Sequence, residues 1–563
     1  MQALALTPIR TLLAVAALIL GVLLKPVLAH AADNNSSFTQ TLSFLSAFFN
    51  QPYFPQSYAF TVERDLRLPT SDGIKLSGHL FLPNASEASS APVVIFINSW
   101  ALNEYQYLTS ASRLATQGYA VLSYSARGWG NSEGVIGNAG ADDIADVSAV
   151  IDWLERRTDI DATRIALAGI SYGAGISLLA AAHDARVKAV VAMSGWANLA
   201  DALYGQRTPR LFWGQLLTRS ADWRGKPDPA IHHYWNNLLA HEDIEDTLEW
   251  ALARSPVSYL EQLNAHQPAI LMFNNWGDNL FPPENMLSLF SELQGPKLIS
   301  LQAGAHGSAE AQALVYDASH PIWTTLLAWL DQHLATTPDH TQARPVRTGV
   351  QLKPLGGEHY EHYPDWPPAP GHRQLWHLHP AGRINSGTLR GQAYTGPERT
   401  TSIRAWRKSP ASSGLPVVSQ VLEQFDLPTT APVAWMIGDH TTRYISDQLP
   451  SNLSIRGQPQ LRLTVIPGSE QLQLVAYLYD VHWSGVGKLI THAPYTAPTV
   501  TPGEALEVQL ALHAIAYDLP AGNRLALVID SQDPLYPQVP RLGYSLDISL
   551  SAEQPGVLTV PTK

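Results

Sequence analysis

The sequence predicts an α/β fold, in which a mainly parallel sheet carries helices on both faces, followed by a separate all-β region. Three observations predict it. From about residue 58 to residue 334, short apolar runs alternate with segments of helical spacing. One interval, residues 196–267, breaks this alternation. Beyond residue 346 the chain consists of short alternating segments separated by Pro, Gly, Ser and Asp. Alternating strands and helices form parallel sheets, whereas closely spaced short strands form sandwiches or barrels.

The N-terminus has the features of an export signal. Arg10 supplies a positive charge, residues 11–24 are apolar, and Ala29-His30-Ala31 is a small-x-small cleavage pattern. The apolar run is shorter than the about 20 residues that a spanning helix needs. We therefore expect residues 1–31 to be a signal peptide, and the mature chain to be periplasmic or secreted without stable membrane association. An uncleaved N-terminal membrane anchor is the alternative.

Composition excludes several kinds of chemistry. The 563 residues include no cysteine, which rules out disulfides, thiolate catalysis and thiolate metal sites. The formal net charge of -12, without a cluster of Lys and Arg, argues against a nucleic-acid partner. No set of candidate ligands suggests a metal, and we expect no cofactor.

The elements of the first region follow from the periodicity of its apolar residues. Two alternating segments joined by Ser71-Asp72-Gly73 predict a strand hairpin. Continuous apolar runs predict buried parallel strands, and apolar residues at helical spacing predict the helices between them. The predicted strands span residues 58–69, 74–83, 92–98, 119–125, 164–169, 187–195, 268–277 and 297–304. The predicted helices span residues 104–117, 142–155, 175–184 and 321–334.

The interval 196–267 carries helical patterns and many aromatic residues. An insertion here would lie over the carboxyl ends of the strands, where open sheets bind ligands. We therefore expect a helical cap within a first domain of residues 32–345. Its aromatic side chains either form the core of the cap or line an acyl pocket. They include Trp213, Trp223, Tyr234, Trp235 and Trp250.

A polar, proline-containing linker at residues 336–346 ends this domain. Short strand patterns follow it, and no long helical pattern interrupts them. These features predict an all-β jelly roll for residues 346–563. Its predicted strands span residues 373–380, 460–467, 472–481, 506–515, 523–530 and 542–551.

The pattern Gly-x-Ser-x-Gly, which marks a nucleophilic serine at a strand-to-helix turn, occurs twice. Ser171 directly follows a predicted strand and precedes a predicted helix, whereas Ser132 precedes no helix. A strand-to-helix turn exposes the serine at the sheet edge, where helix-start amides face it. We therefore predict that Ser171 is the nucleophile and that Ser132 belongs to a loop shaping the site. A glycine-rich turn without chemistry is the alternative for Ser171.

A nucleophilic serine needs a histidine base and a carboxylate that orients it. Asp278 and His306 each come directly after a later predicted strand, and the chain order Ser–Asp–His fits such a site. Their rivals, Glu284 and His320, each stand at the start of a predicted helix. The alternative role for Asp278 is a helix cap or a turn residue.

The oxyanion of the reaction needs two hydrogen-bond donors. One is expected to be the main-chain amide of Tyr172, the residue after the nucleophile. The other should come from the loop that begins at Asn98. We assign it to Trp100, with the amide of Ser99 as an alternative.

Several motifs, in order along the chain, resemble those of the Xaa-Pro dipeptidyl-peptidase and cocaine-esterase-like (CocE/NonD) serine hydrolases. They are SDGIKLSGHLFLP, SARGWGNSEG, GISYGAG, NWGDNLFP, AGAHGS and YPDWPP. The resemblance implies an α/β-hydrolase core with a helical cap and a C-terminal jelly roll of galactose-binding-like form. It also implies hydrolysis of esters or amides through an acyl-enzyme, with Ser171, Asp278 and His306 as the triad and Tyr172 as an oxyanion donor.

The chain departs from that family at the second oxyanion donor. Cocaine-esterase-like members supply a tyrosine hydroxyl there, whereas this loop offers Trp100, with Tyr105 and Tyr107 further on. An indole N–H or a main-chain amide would have to replace it.

Members that act on peptides or amino-acid esters also need acidic groups for the substrate's ammonium. The cap carries four acidic residues that either bind an amine or form the solvated first turn of a helix. They are Glu242, Asp243, Glu245 and Asp246.

Together these features predict a serine hydrolase that acts on a small ester, an amide or a short peptide, including an Xaa-Pro dipeptidyl bond. The alternative is a non-catalytic protein whose jelly roll binds carbohydrate or another protein. The aromatic segment HYEHYPDWPP, residues 359–368, motivates that alternative.

Overall fold

The computed structural model describes most of the chain beyond residue 58. The described residues are 59–84, 91–334, 345–368, 371–380, 382, 385–404, 409–436, 438–537 and 544–563. The predicted signal peptide lies outside them. Within them, no helix combines the length and the apolar character that crossing a membrane requires.

Strands β1–β10 form one ten-stranded sheet in the order β1-β2-β4-β3-β5-β6-β7-β8-β9-β10. The strands β4, β3, β5, β6, β7, β8 and β9 run parallel, with antiparallel neighbours at both edges. The bounds are β1 Phe60–Pro69, β2 Lys75–Pro83, β3 Pro92–Ile97, β4 Ala120–Tyr124, β5 Asp161–Ile170, β6 Val187–Met193, β7 Ala269–Asn275, β8 Lys297–Gln302, β9 Gly349–Leu352 and β10 Glu361–Tyr363.

The helices follow the same alternation. Their bounds are α1 Leu108–Thr116, α2 Ala141–Glu155, α3 Tyr172–His183, α4 Leu199–Tyr204, α5 Leu211–Arg224, α6 Pro229–Ala240, α7 Ile244–Leu252, α8 Leu260–His266, α9 Pro283–Glu292, α10 Ser308–Ala311, α11 Pro321–Leu334 and α12 Val418–Glu423. Two apolar clusters pack against the opposite faces of the sheet. Because both faces are covered, the central strands are continuously apolar rather than alternating. The predicted α/β class is confirmed.

Two helices begin at other positions than the sequence pattern predicts. Helix α1 starts at Leu108 rather than at residue 104, because the Asn103 side chain accepts a hydrogen bond from the amide of Tyr105 and holds a turn there. Helix α3 starts at Tyr172, directly after Ser171, rather than at residue 175. Glycine has a low helix propensity, so the sequence pattern predicts a later start, but the sharp turn at Ser171 requires glycines beside it.

The interval predicted to be a cap holds five helices, α4 to α8, between β6 and β7. The main sheet extends beyond residue 345, where β9 adds a parallel strand and β10 an antiparallel one. The placement of the domain boundary at 345 stays a prediction.

The C-terminal region is built mostly from antiparallel strands, as predicted. One sheet contains twelve strands, and β16 pairs with β21 in a separate pair. The bounds are β11 Arg373–His379, β12 Ser386–Arg390, β13 Arg399–Arg404, β14 Thr430–Ala431, β15 Thr442–Ser446, β16 Leu453–Gly457, β17 Gln460–Pro467, β18 Leu472–Val481, β19 Gly487–Ala497, β20 Leu506–Ala511, β21 Ile515–Leu519, β22 Arg524–Asp530, β23 Ser545–Leu550 and β24 Val557–Pro561.

Candidate active site

Ser171 lies on a sharp turn between β5 and α3. Its φ is 58° and its ψ is -112°, a conformation that few residues other than glycine adopt. The flanking glycines let the backbones approach closely. A Cβ atom on Gly173 would lie 2.1 Å from the carbonyl oxygen of Ile97, and one on Gly169 would lie 2.6 Å from the carbonyl carbon of Gly173. The turn presents the serine side chain at the carboxyl edge of the sheet.

The structure brings the three predicted site residues together. His306 Nε2 lies 2.8 Å from Ser171 Oγ, and His306 Nδ1 lies 2.8 Å from Asp278 Oδ2. The other carboxylate oxygen of Asp278 accepts the amides of Leu280, at 3.1 Å, and Phe281, at 2.9 Å. The Asp278 side chain is fully buried and that of His306 is 11% exposed. This arrangement holds the imidazole in one orientation between a serine hydroxyl and a carboxylate.

A buried polar group supports the loop that carries His306, and the sequence pattern did not reveal it. Ser194, at the end of β6, has a φ of 45°. Its hydroxyl accepts the amide of Gly307 at 3.1 Å and donates to Glu310 at 2.9 Å. Asn275 donates to the other Glu310 oxygen at 2.8 Å. Burial raises the pKa of Glu310 against these hydrogen bonds. These residues fix the histidine loop to two neighbouring strands.

The loop after β3 narrows the choice of the second oxyanion donor. The Ser99 amide donates to Gln106 Oε1 at 2.7 Å, so it is already engaged. The indole N–H of Trp100 donates to the carbonyl of Leu217 at 3.0 Å, which leaves the main-chain amide of Trp100 as the group this residue can supply. Tyr172 is the first residue of α3, so its main-chain amide has no hydrogen-bond acceptor within the helix. The ring of Trp100 packs edge-on against Tyr172 at 5.3 Å.

Asp143, a buried residue near the start of α2, holds the side chain of Tyr172. The Tyr172 hydroxyl donates to Asp143 Oδ1 at 3.0 Å, and the Gly140 amide donates to Asp143 Oδ2 at 3.1 Å. Burial raises the pKa of the Asp143 carboxyl to about 7, against the hydrogen bond from Tyr172. The sequence signal, an acidic pair at a helix start, is that of an ordinary helix N-terminus. It gave no reason to place Asp143 against the side chain of Tyr172, the residue after the nucleophile.

The rival residues have structural partners of their own. The Ser132 hydroxyl accepts the amide of Ser77 at 2.9 Å and donates to the carbonyl of Ser125 at 2.7 Å. Glu284 accepts hydrogen bonds from His513 and Ala514 in the C-terminal region. His320 Nδ1 accepts the amide of Ile322 at the start of α11.

A cleft opens beside Ser171, between the sheet edge and the cap helices. Its walls are almost entirely apolar and aromatic. The four acidic cap residues considered above for amine binding are exposed and lie outside the cleft lining. Among the described residues, no group of three or more His, Asp or Glu is arranged to hold a metal ion.

In the aromatic segment 359–368 the tyrosine and tryptophan rings are partly covered, whereas His359 and His362 are exposed. Tyr360, Tyr363 and Trp366 are all half-buried. The Tyr360 hydroxyl donates to Gln302 and that of Tyr363 donates to Glu361. The segment joins the edge of the main sheet through β10.

A serine at a strand-to-helix turn, hydrogen-bonded to a histidine from a later strand of the same parallel sheet, is the arrangement of the α/β hydrolases. Comparison with known families refines this class. The model of the X-Pro dipeptidyl-peptidase (S15 family) matches residues 72–308, and that of the X-Pro dipeptidyl-peptidase C-terminal non-catalytic domain matches residues 349–555. Together the two models cover most of the chain, which belongs to the X-Pro dipeptidyl-peptidase (S15) family of hydrolases.

Curated relatives match parts of the chain. The α/β hydrolase domain-containing protein WAV2 of Arabidopsis thaliana is 30% identical over 43% of this chain and 72% of its own length. The uncharacterized peptidase YuxL of Bacillus subtilis is 25% identical over 50% of this chain and 40% of its own. The uncharacterized protein Rv2307c of Mycobacterium tuberculosis is 32% identical over 22% of this chain and 46% of its own. The chain thus spans less than half the length of the first curated relatives it matches.

Solved structures share the fold over nearly the whole described chain. A CocE/NonD family hydrolase from Staphylococcus aureus has a TM-score of 0.69 and 13% identity, and the match covers 90% of this chain and 94% of the other. An α-amino acid ester hydrolase has a TM-score of 0.71 and 15% identity, with 91% and 98% covered. An aminopeptidase from a marine sediment archaeon has a TM-score of 0.68 and 16% identity, with 91% and 98% covered.

Proposed function

We propose that this protein hydrolyses an ester or amide bond through an acyl-enzyme, with Ser171 as nucleophile, His306 as general base and Asp278 as the carboxylate that orients it. One observation carries the proposal, namely the continuous hydrogen-bonded chain from Ser171 Oγ through His306 to Asp278 at the turn after β5. The family membership supports it, since its members are hydrolases.

In the first half of the reaction, Ser171 Oγ attacks the acyl carbonyl while its proton passes to His306 Nε2. Asp278 holds the proton on Nδ1 and stabilises the imidazolium that forms. The main-chain amides of Tyr172 and Trp100 stabilise the oxyanion. His306 then gives its proton to the departing alcohol or amine, and the acyl group stays on the serine.

In the second half, a water molecule gives a proton to His306 and attacks the acyl carbonyl. The resulting tetrahedral species collapses, Ser171 Oγ takes the proton back, and the carboxylic acid leaves. No residue changes oxidation state, and each proton that His306 accepts is returned in the same half-reaction.

Labelling with a fluorophosphonate, followed by mass spectrometry of the peptides, tests the assignment. We expect one adduct, on the peptide that contains Ser171. The Ser171→Ala variant should lose at least about 1,000-fold in kcat on an activated ester. The matched variant Ser132→Ala should keep an activated Ser171.

The opposite result would refute the assignment. An adduct on Ser132, or full activity of Ser171→Ala, would show that another residue is the nucleophile. Folded protein that takes up no label would favour the non-catalytic binding alternative.

A further inference from the structure

We propose that the acyl group accepted by this site is neutral and apolar, and that the site rejects acyl groups carrying an α-ammonium. This inference rests on the proposed function and names the substrate class of the same site. It separates this chain from peptidases and amino-acid ester hydrolases that recognise a free amino terminus.

The position of the cleft identifies the part of the substrate that enters it. Ser171 lines the cleft, as do both residues that carry candidate oxyanion donors, Tyr172 and Trp100. His306 is not among the described residues that line the cleft. The leaving group must depart toward His306, because that imidazole protonates it. The cleft on the oxyanion side therefore receives the acyl group.

The walls of the cleft offer an acyl group mainly apolar contacts. Large rings and aliphatic side chains from the cap and from the loop after Asp278 form most of the surface. They include Trp196, Leu199, Trp235, Leu248, Trp250 and Phe281. Burying apolar surface against such walls is favourable in proportion to its area.

The polar side chains of the cap wall are already hydrogen-bonded to protein atoms. The Thr218 hydroxyl donates to the carbonyl of Gly214 at 2.8 Å, and the Thr247 hydroxyl donates to that of Asp243 at 2.9 Å. The Tyr204 hydroxyl lies 2.5 Å from His241 Nδ1. An ammonium entering the cleft would give up its water without gaining a charged acceptor, which is costly.

The charges near the cleft also oppose a cation. The described lining contains no Asp or Glu. Asp143, which accepts the hydroxyl of the lining residue Tyr172 at 3.0 Å, has its pKa raised to about 7 by burial, so it is mostly neutral below that pH. Asp246 reaches only the hydroxyl of the half-buried Tyr234. On the other side of the wall, the Arg254 guanidinium stacks 4.2 Å from the centre of the Trp250 ring. A positive charge thus lies behind the aromatic wall.

The direct test compares two activated esters that differ only in the ammonium. These are 4-nitrophenyl phenylacetate and the 4-nitrophenyl ester of phenylglycine. Both are assayed at a pH at which the amine of phenylglycine is protonated, and the rate measured with Ser171→Ala is subtracted as the blank. We expect kcat/KM for phenylacetate to be higher by at least about 100-fold. Equal rates, or a preference for phenylglycine, would refute the proposed substrate class while leaving Ser171 established as the nucleophile. Rates no higher than the blank with both esters, together with no fluorophosphonate adduct, would instead refute the hydrolase itself.

A pair of variants on one helix places the selectivity in this cleft. Leu248 lines the cleft on α7, whereas Leu252, one turn later on the same helix, is 40% exposed and outside the lining. We expect Leu248→Trp to lower kcat/KM for phenylacetate relative to acetate by about 10-fold, because the larger ring occupies the acyl space. Leu252→Trp should leave the ratio unchanged. If Leu248→Trp lowered both esters equally, the acyl group would not occupy this cleft and the proposal would fail.

Discussion

Asp143 is a buried carboxyl beside the turn that carries the nucleophile, and its protonation makes the free energy of unfolding depend on pH. The unfolded chain binds its proton with the ordinary pKa of 3.8, whereas the folded protein holds the proton up to about pH 7. Between these values the folded state binds more protons, so the free energy of unfolding falls as the pH rises. The stabilising contribution is complete below about pH 4 and is lost by about pH 7.

Asp143→Asn should remove this pH dependence. We expect the variant and the wild type to be about equally stable near pH 4, because the protonated carboxyl and the amide each offer one acceptor oxygen and one donor side. Toward pH 8 the variant should become the more stable protein, by up to about 4 kcal/mol. Urea unfolding of both proteins at several pH values measures it. A difference in stability that stays constant with pH would contradict the prediction.

The residues predicted from the sequence and those missed differ in how they are positioned. Ser171, Asp278 and His306 follow strand ends, and the carboxyl ends of parallel strands meet at one edge of a sheet. Their proximity therefore follows from strand order alone. Asp143 and Ser194 act through contacts between elements far apart in the chain, which no local pattern reveals. The hydrogen bond from the Trp100 indole to the Leu217 carbonyl in the cap also joins distant parts of the chain, so no local pattern predicts it.

At the scale of elements, the turn between β5 and α3 depends on its glycines. Gly173→Ala would place a Cβ atom 2.1 Å from the Ile97 carbonyl oxygen, which belongs to the backbone of β3 and cannot turn aside. We expect a loss of at least about 3 kcal/mol in the free energy of unfolding, with slower labelling of Ser171. Gly391→Ala is the matched control, since no atom lies within 4 Å of its added Cβ, and it should change stability by less than about 0.5 kcal/mol. Equal effects of the two variants would show that the turn tolerates a side chain.

Most strands of the main sheet could be predicted because each is a continuous apolar run covered on both faces. Helix starts were harder to place, since they depend on turns held by single side chains such as Asn103. Strands β9 and β10 escaped the prediction because each is at most four residues long and follows a polar linker. Short segments of that kind become strands only when a neighbouring edge, here β8, is free to pair with them.

At the scale of the whole molecule, Glu284 joins the catalytic sheet to the C-terminal region. It lies in the first turn of α9, a few residues after Asp278, and its carboxylate accepts hydrogen bonds from His513 Nδ1 at 2.7 Å and from the Ala514 amide at 3.0 Å. Burial alone would raise the pKa of Glu284, but His513 and the Ala514 amide outweigh it and hold the pKa below its ordinary value of 4.5. Because the folded-state pKa is lowered, this contact stabilises the protein above about pH 4.5 and weakens as the pH falls further.

Glu284→Ala should therefore loosen the C-terminal region from the helix that follows the catalytic aspartate. The change leaves the Ala514 amide and the His513 ring without their acceptor, so we expect a loss of about 2 kcal/mol or more at pH 7. Because α9 continues from the Asp278 loop, kcat should fall as well, and both effects should shrink in acid as the wild-type carboxylate becomes protonated. Glu292→Ala, at the exposed far end of the same helix, is the matched control and should change neither quantity. Urea unfolding and ester hydrolysis, both measured from pH 4 to pH 8, test this prediction. If the Glu284→Ala protein were as stable and as active as the Glu292→Ala protein, the two regions would be held together without this contact.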